Sequence, residues 1–150
     1  VFLAGGISGC PDWQKEMIAR FKGVDDHLVL VNPRRASFDI TNPSESDFQI
    51  EWEATHLHMC DAAIFWFPFH TLCPITLFEI GKHAEQGMTL FVGCHPAYAR
   101  AFDVRKQLSL MRPDIVVHDS FTPLVEQTID WYHRSVDENR FIAESVGGNT

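Results

Sequence analysis

Short apolar runs alternate along this chain with stretches in which apolar residues recur every three to four positions. Runs of four to eight apolar residues suit strands, and the three-to-four spacing suits amphipathic helices. The pattern predicts strands over 1–4, 28–31, 61–67, 89–92 and 114–118. It predicts helices over 12–21, 44–57, 74–86, 99–110 and 122–139. Segment 61–67 is almost continuously apolar and aromatic, as a strand covered on both faces must be. Pro68 ends it, and Pro74 suits the first turn of the next helix, where its missing N–H would be unpaired in any case.

Strict alternation of strand and helix implies right-handed crossovers and helices on both faces of a parallel sheet. The expected architecture is an α/β fold, a three-layer doubly wound sheet of five strands in the flavodoxin-like order 2-1-3-4-5. Its switch point falls between the first and third strands, so the loops after them lie side by side, where ligands bind in such sheets. Residues 1–150 are expected to form one domain, with a loose tail from about 145. The long irregular connection 32–43 reads as a lid or binding loop, and Ser44 with Asp47 as a capping arrangement for the helix that follows.

Composition narrows the class. Hydrophobic residues make up 45% of the 150 and charged residues 21%, which argues against disorder. No apolar run reaches the ~20 residues of a membrane helix, so a globular chain acting without a membrane is expected. A formal charge of -8 repels a phosphate backbone and argues against polymeric nucleic acid, while leaving a single nucleotide or nucleoside open as ligand. The four cysteines form no CxxC pair, which fits a reduced cytoplasmic protein. The eight histidines show no zinc-ligand spacing, so no metal is expected. Val1 already belongs to an apolar strand, so a few residues of the natural start are expected upstream.

The most informative candidate is Glu79, carried on the early turns of the 74–86 helix among Ile75, Leu77, Phe78 and Ile80. A carboxylate in an apolar cleft is costly unless used or paired, although acids near helix starts also serve simply to complement the macrodipole. Gln49, Trp52, Glu53 and His56 form a second stripe on the 44–57 helix, opposite an Ile50, Ala54, Leu57 face expected to pack on the sheet. Such a stripe suits a ligand or a subunit contact, or else Trp52 only snorkels at the surface; in the first case Glu53 converges with Glu79 on one crevice. The Gly5-Gly6-Ile7-Ser8-Gly9 turn lets backbone N–H groups approach a ligand, or serves only as a tight turn; it is neither a dinucleotide fingerprint nor a P-loop. Arg34 and Arg35 leave the second strand where one can meet a phosphate or carboxylate, or both can be solvated. Trp66, Phe67 and Phe69 read either as core or as a stacking platform, and Asp61 as a structural residue at the opposite edge of the sheet.

Together FLAGGISG, NPRR, QIEWE and FWFP…PITLFEIG resemble the nucleoside 2-deoxyribosyltransferase family, over most of the chain from Phe2 to about Gly93. The resemblance implies that Glu79 attacks the anomeric carbon of a deoxynucleoside and that Glu53 helps to protonate the base. Glutamate stands at 53 where many relatives have aspartate. Substrate contacts are expected from Gly5, Gly6, Ser8, Arg34, Gln49, Trp52, Trp66 and Thr71, such chemistry requires no cofactor, and the resemblance implies a homo-oligomer. Thr71 and Cys73 occupy the turn where many relatives carry another aspartate, so base recognition is expected to differ. Three readings follow: transfer of 2-deoxyribose between nucleobases, hydrolysis of deoxynucleosides or their 5′-monophosphates, and a non-catalytic nucleotide-binding module. A flavodoxin-like electron carrier is the remaining option on fold alone.

Overall fold

The computed structural model describes residues 1–37, 39 and 41–147. Strands β1 (Phe2–Gly5), β2 (Ala62–Phe67), β3 (Thr89–Cys94) and β4 (Val117–His118) form a parallel sheet in the order β1-β2-β3-β4. Helices α1 (Trp13–Arg20), α2 (Pro43–Met59), α3 (Pro74–Glu85), α4 (Ala101–Met111) and α5 (Phe121–Gly147) connect and follow the strands. The helix α5 includes Ser145 and Val146, and 148–150 of the expected tail lie outside the described residues. Phe38 and Ile40, within the expected lid 32–43, also lie outside them.

The sheet has four strands where five are expected. Segment 28–31 lies along the outer edge of β1, but it makes one isolated parallel bridge, between Val31 and Phe2. Leu3 N–H donates to the Val31 carbonyl at 2.9 Å, and Val31 N–H donates to the Val1 carbonyl at 2.8 Å. A parallel ladder would draw its next donor from residue 33, two positions on, and that residue is Pro33, which has no N–H. The pairing, which begins with the Val1 amine donating to the Val29 carbonyl at 2.7 Å, therefore stops at Val31.

Alternation along β2 explains why all six of its residues are buried. Ala63, Phe65 and Phe67 enter a core with Leu57 of α2, Ile80 and Ala84 of α3, and Val104 and Leu108 of α4. Ala62, Ile64 and Trp66 enter a second core with Trp13 and Met17 of α1 and Leu124 and Val125 of α5. Two cores on opposite faces make three layers. Each large apolar side chain buried there stabilises the fold by roughly 1.5–3 kcal/mol.

The start of α2 is set differently from expectation. Asn42 is the N-cap, its side chain accepting from the Ser44 N–H at 3.1 Å, and Pro43 takes the first helical position. Ser44 is thus inside the helix, and its pairing with Asp47 does not form the cap.

Trp66 and Gly93 face each other in register across β2 and β3. A Cβ on Gly93 would come within 2.6 and 2.7 Å of the Trp66 ring, so glycine is what admits the indole. Gly93→Ala is expected to destabilise the protein by about 1–3 kcal/mol through overpacking. Adding Trp66→Leu should make the Gly93→Ala penalty smaller. Urea unfolding of the four proteins in this cycle measures it, and equal penalties in both backgrounds would contradict the steric account.

Candidate active site

The β1 to β2 register places the turn after β1 beside the loop that leads from β2 into α3. Between them and α2 lies a cavity of about 380 Å3. Gly5, Ile7 and Ser8 line it from the turn, Pro33 and Arg35 from the loop before α2, and Gln49, Ile50 and Glu53 from α2. Thr71 and Cys73 line it from the loop before α3, and Pro74, Ile75, Thr76 and Glu79 from α3 itself.

Both candidate acids are half-buried in this wall. Glu79 stands in the second turn of α3, where burial pushes its carboxyl up to about 7, with the Glu53 charge adding to the rise and Lys82 opposing it. Burial also raises Glu53, and a hydrogen bond from Gln49 partly offsets this. Gln49 Nε2 donates to Glu53 Oε1 at 2.6 Å and to the Pro33 carbonyl at 3.0 Å. The amide thereby positions the Glu53 carboxylate and ties it to the preceding loop. The amide hydrogen bond favours the anion of Glu53, and the charge of that anion favours the protonated form of Glu79.

The half-buried stripe of α2 is the polar one. Gln49, Trp52, Glu53 and His56 are all half-buried, whereas of the expected sheet-packing face only Leu57 is buried. Ile50 is 66% exposed at the cavity mouth and Ala54 is exposed. Trp52 supplies the inward apolar contact instead, its ring centre 6.4 Å from that of Phe2 and stacked on His56 at 3.9 Å. The apolar surroundings of Glu79 differ in the same way, since Ile75 and Phe78 are 65% and 72% exposed and Ile80 is buried.

Four expected contact residues, Gly5, Ser8, Gln49 and Thr71, line the cavity with the two acids. Four others are not among its lining residues. Arg34 turns toward α1, donating from Nε to Gln14 Oε1 at 2.9 Å and from Nη2 to the carbonyl of Pro11 at 2.9 Å. It also lies 3.4 Å from Asp12, so it holds the residues after the glycine turn together. Gly6 is covered on its side-chain face by two cysteine sulfurs, and its carbonyl accepts from Trp13 Nε1 at 2.9 Å. Trp52 lines a smaller cavity with Asn32, Phe48 and Gln49. Trp66, by the alternation of β2, faces the opposite side of the sheet and packs edge-on to Phe121 at 4.4 Å.

Sequence reasoning did not single out Ile7, Pro33, Ile50, Cys73, Pro74, Ile75 or Thr76 as lining residues. Spacing carries a signal for two of them: Thr76 and Ile75 lie three and four positions before Glu79 and so share its helix face. Cys73 is the one non-glycine residue with positive φ among the described residues, at 46°, an arrangement that costs about 1–2 kcal/mol and sits where strain tends to collect, beside a site. Arg35, weighed only together with its neighbour, is the arginine that lines the cavity. It lies 3.9 Å from Glu45. Asp61 is exposed at the beginning of β2, remote from the carboxyl ends of the strands.

A family model described as nucleoside 2-deoxyribosyltransferase like matches residues 1–98, a span that contains every residue lining the cavity that holds Glu53 and Glu79. No curated protein matches the chain.

The rise of Glu79 from 4.5 to about 7 has a consequence for stability. Between those pH values the folded state binds more protons than the unfolded state, so stability falls as pH rises through the window. Glu79→Gln removes that loss and is expected to be more stable than the parent at pH 8 by on the order of 2 kcal/mol. Urea unfolding at pH 8 and pH 4.5 measures the difference, which should shrink toward the lower pH. A difference that stays constant between the two would contradict the burial of this acid.

Proposed function

This chain belongs to the nucleoside 2-deoxyribosyltransferase-like family, and from that premise we propose that it moves 2-deoxyribose between nucleobases through a covalent ester on Glu79. The observation that supports this reading is that Glu79 and Glu53 line one cavity, where the Glu53 charge adds to the rise of the Glu79 carboxyl. Breaking an N-glycosidic bond builds positive charge on the sugar, and a carboxylate at the anomeric carbon stabilises and then traps it. The bonding electrons leave with the base nitrogen, which takes up a proton from Glu53. A second base then attacks the anomeric carbon, expels the Glu79 carboxylate, and returns a proton to Glu53.

This sequence of steps requires Glu79 ionised and Glu53 protonated, the reverse of the preference in the empty cavity. The approach of an electron-poor anomeric carbon favours the Glu79 anion, and a basic ring nitrogen near Glu53 draws the proton there. Substrate binding thus moves one proton between the two acids. In this reading Gly5, Ser8 and Thr71 contact the sugar or base, and Gln49 positions Glu53. Trp52 and Arg34 act through packing and through the glycine turn. Exposed Ile50 and Ile75 in the cavity wall, with Phe78 exposed on the same helix as Ile75, suit cover by a second copy of the chain, which makes a homo-oligomer part of the proposal.

Ser8 and Arg35 in the cavity wall favour a second reading, hydrolysis of a deoxynucleoside 5′-monophosphate, since a hydroxyl and a guanidinium together suit a phosphate. Incubation with a deoxynucleoside, with and without a second nucleobase, separates the two. Transfer predicts that the new deoxynucleoside accumulates in the tube with acceptor; release of free sugar to the same extent in both tubes would contradict it. Brief exposure to donor alone should add the mass of one dehydrated deoxyribose to the protein, mapped to Glu79. Glu79→Ala should retain the circular dichroism of the parent and lose turnover by about 10³-fold or more.

A further inference from the structure

We propose that Cys10 and Cys73 are a modification site of this protein: a dithiol pair that peroxide converts to a reversible disulfide across the cavity wall. Cys10 closes the turn after β1, its N–H donating to the Ile7 carbonyl at 3.2 Å, and Cys73 immediately precedes α3. Far apart in sequence, they meet because β1 and β2 pair in parallel. Their sulfurs converge above Gly6. The point where a Cβ would stand on that residue lies 2.6 Å from Cys73 Sγ and 2.8 Å from Cys10 Sγ. Both sulfurs also hydrogen-bond one hydroxyl, Thr71 Oγ1, at 3.5 Å from Cys10 and 3.3 Å from Cys73. Two thiols that share one missing side chain and one hydroxyl are within reach of each other, and the absence of a Cβ on Gly6 leaves them space to close.

The two thiols differ in access. Cys10 is half-buried and open to a small oxidant, while Cys73 is 5% exposed and burial raises its thiol above the ordinary range. Cys10 therefore meets the peroxide first. Its sulfur attacks one peroxide oxygen, the O–O bond breaks, and a water leaves, with Cys10 as sulfenic acid. Cys73 sulfur then attacks Cys10 sulfur, the S–O bond breaks, and the Cys73 proton departs with the hydroxide as a second water. Two thiols are oxidised and one hydrogen peroxide is reduced to two waters. Thr71, bonded to both sulfurs, lies where it can pass that proton. The product links the Ile7 and Ser8 wall of the cavity to the Thr71 and Cys73 wall. The remaining two cysteines are internal controls, because Cys60 sits at the end of α2 and Cys94 is fully buried in β3 with its thiol pushed up to about 12.

The test treats the full chain with hydrogen peroxide, alkylates the remaining thiols, and reads intact mass and non-reduced peptide maps. The expected result is a loss of about 2 Da before alkylation, protection of two thiols per chain, a Cys10 to Cys73 linked peptide, and full reversal by dithiothreitol. Cys60→Ser should keep the linked peptide and Cys10→Ser should lose it. The parent map decides the question even if a variant fails to fold. Sulfinic acid on Cys10 with Cys73 still alkylated would overturn the proposal, as would a bridge to Cys94, a bridge between chains, or no thiol protection. None of these readouts depends on the reaction assigned to the cavity.

Discussion

Parallel pairing of β1 with β2 is the constraint on which the site depends. With Gly5 opposite Trp66, both strands end at the same level, and the turn after one meets the loop after the other. Because β2 is buried on both faces, its register is firmly set: a slip by one residue would send Phe65 and Phe67 to the wrong core. The glycine turn, the Thr71 to Pro74 loop and the start of α3 are therefore held by the interior of the protein. Arg34 and Trp13 add a second restraint by bonding the carbonyls around that turn.

On this frame the protein places two acids where neither is comfortable. Burial alone would favour protonation of both, and the charge on one raises the other further. Gln49 breaks the symmetry by donating to Glu53, leaving Glu79 as the group that holds its proton near neutral pH. Such a pair costs stability when ionised. In the proposed reaction the same sensitivity to surroundings is what would let Glu53 act as acid beside a Glu79 nucleophile. The strained backbone at Cys73 belongs to the same economy, since it ends the loop that delivers α3 to the cavity.

Much of this was legible before the fold was known. Glu79 stands out because an acid among apolar helix positions has few simple explanations, Glu53 because it shares a stripe with Gln49, Trp52 and His56, and the strand and helix alternation locates both near one end of a parallel sheet. Segment 28–31 misled because its apolar run is genuine, while the missing donor of Pro33 acts through the partner strand and leaves no mark on periodicity. The sheet-packing face of α2 differs from expectation for a related reason. Hydropathy sends Ile50 inward, yet Trp52 and Leu57 meet the sheet and the cavity takes Gln49 and Glu53. Arg34 and Arg35 are adjacent and chemically alike, and only the position of Gln14 and the Pro11 carbonyl decides which one turns inward. Trp66 and Phe67 likewise differ by one position and therefore by one face of the sheet.

The coupling of the two acids is the central claim, and carbon-13 NMR titration of the glutamate side-chain carboxyls in the ligand-free protein tests it most directly. The account predicts a Glu79 midpoint near 7, displaced to lower pH in Glu53→Gln, where the neighbouring charge is gone. A Glu79 midpoint at the ordinary 4.5, or one that does not move when Glu53 is neutralised, would contradict it.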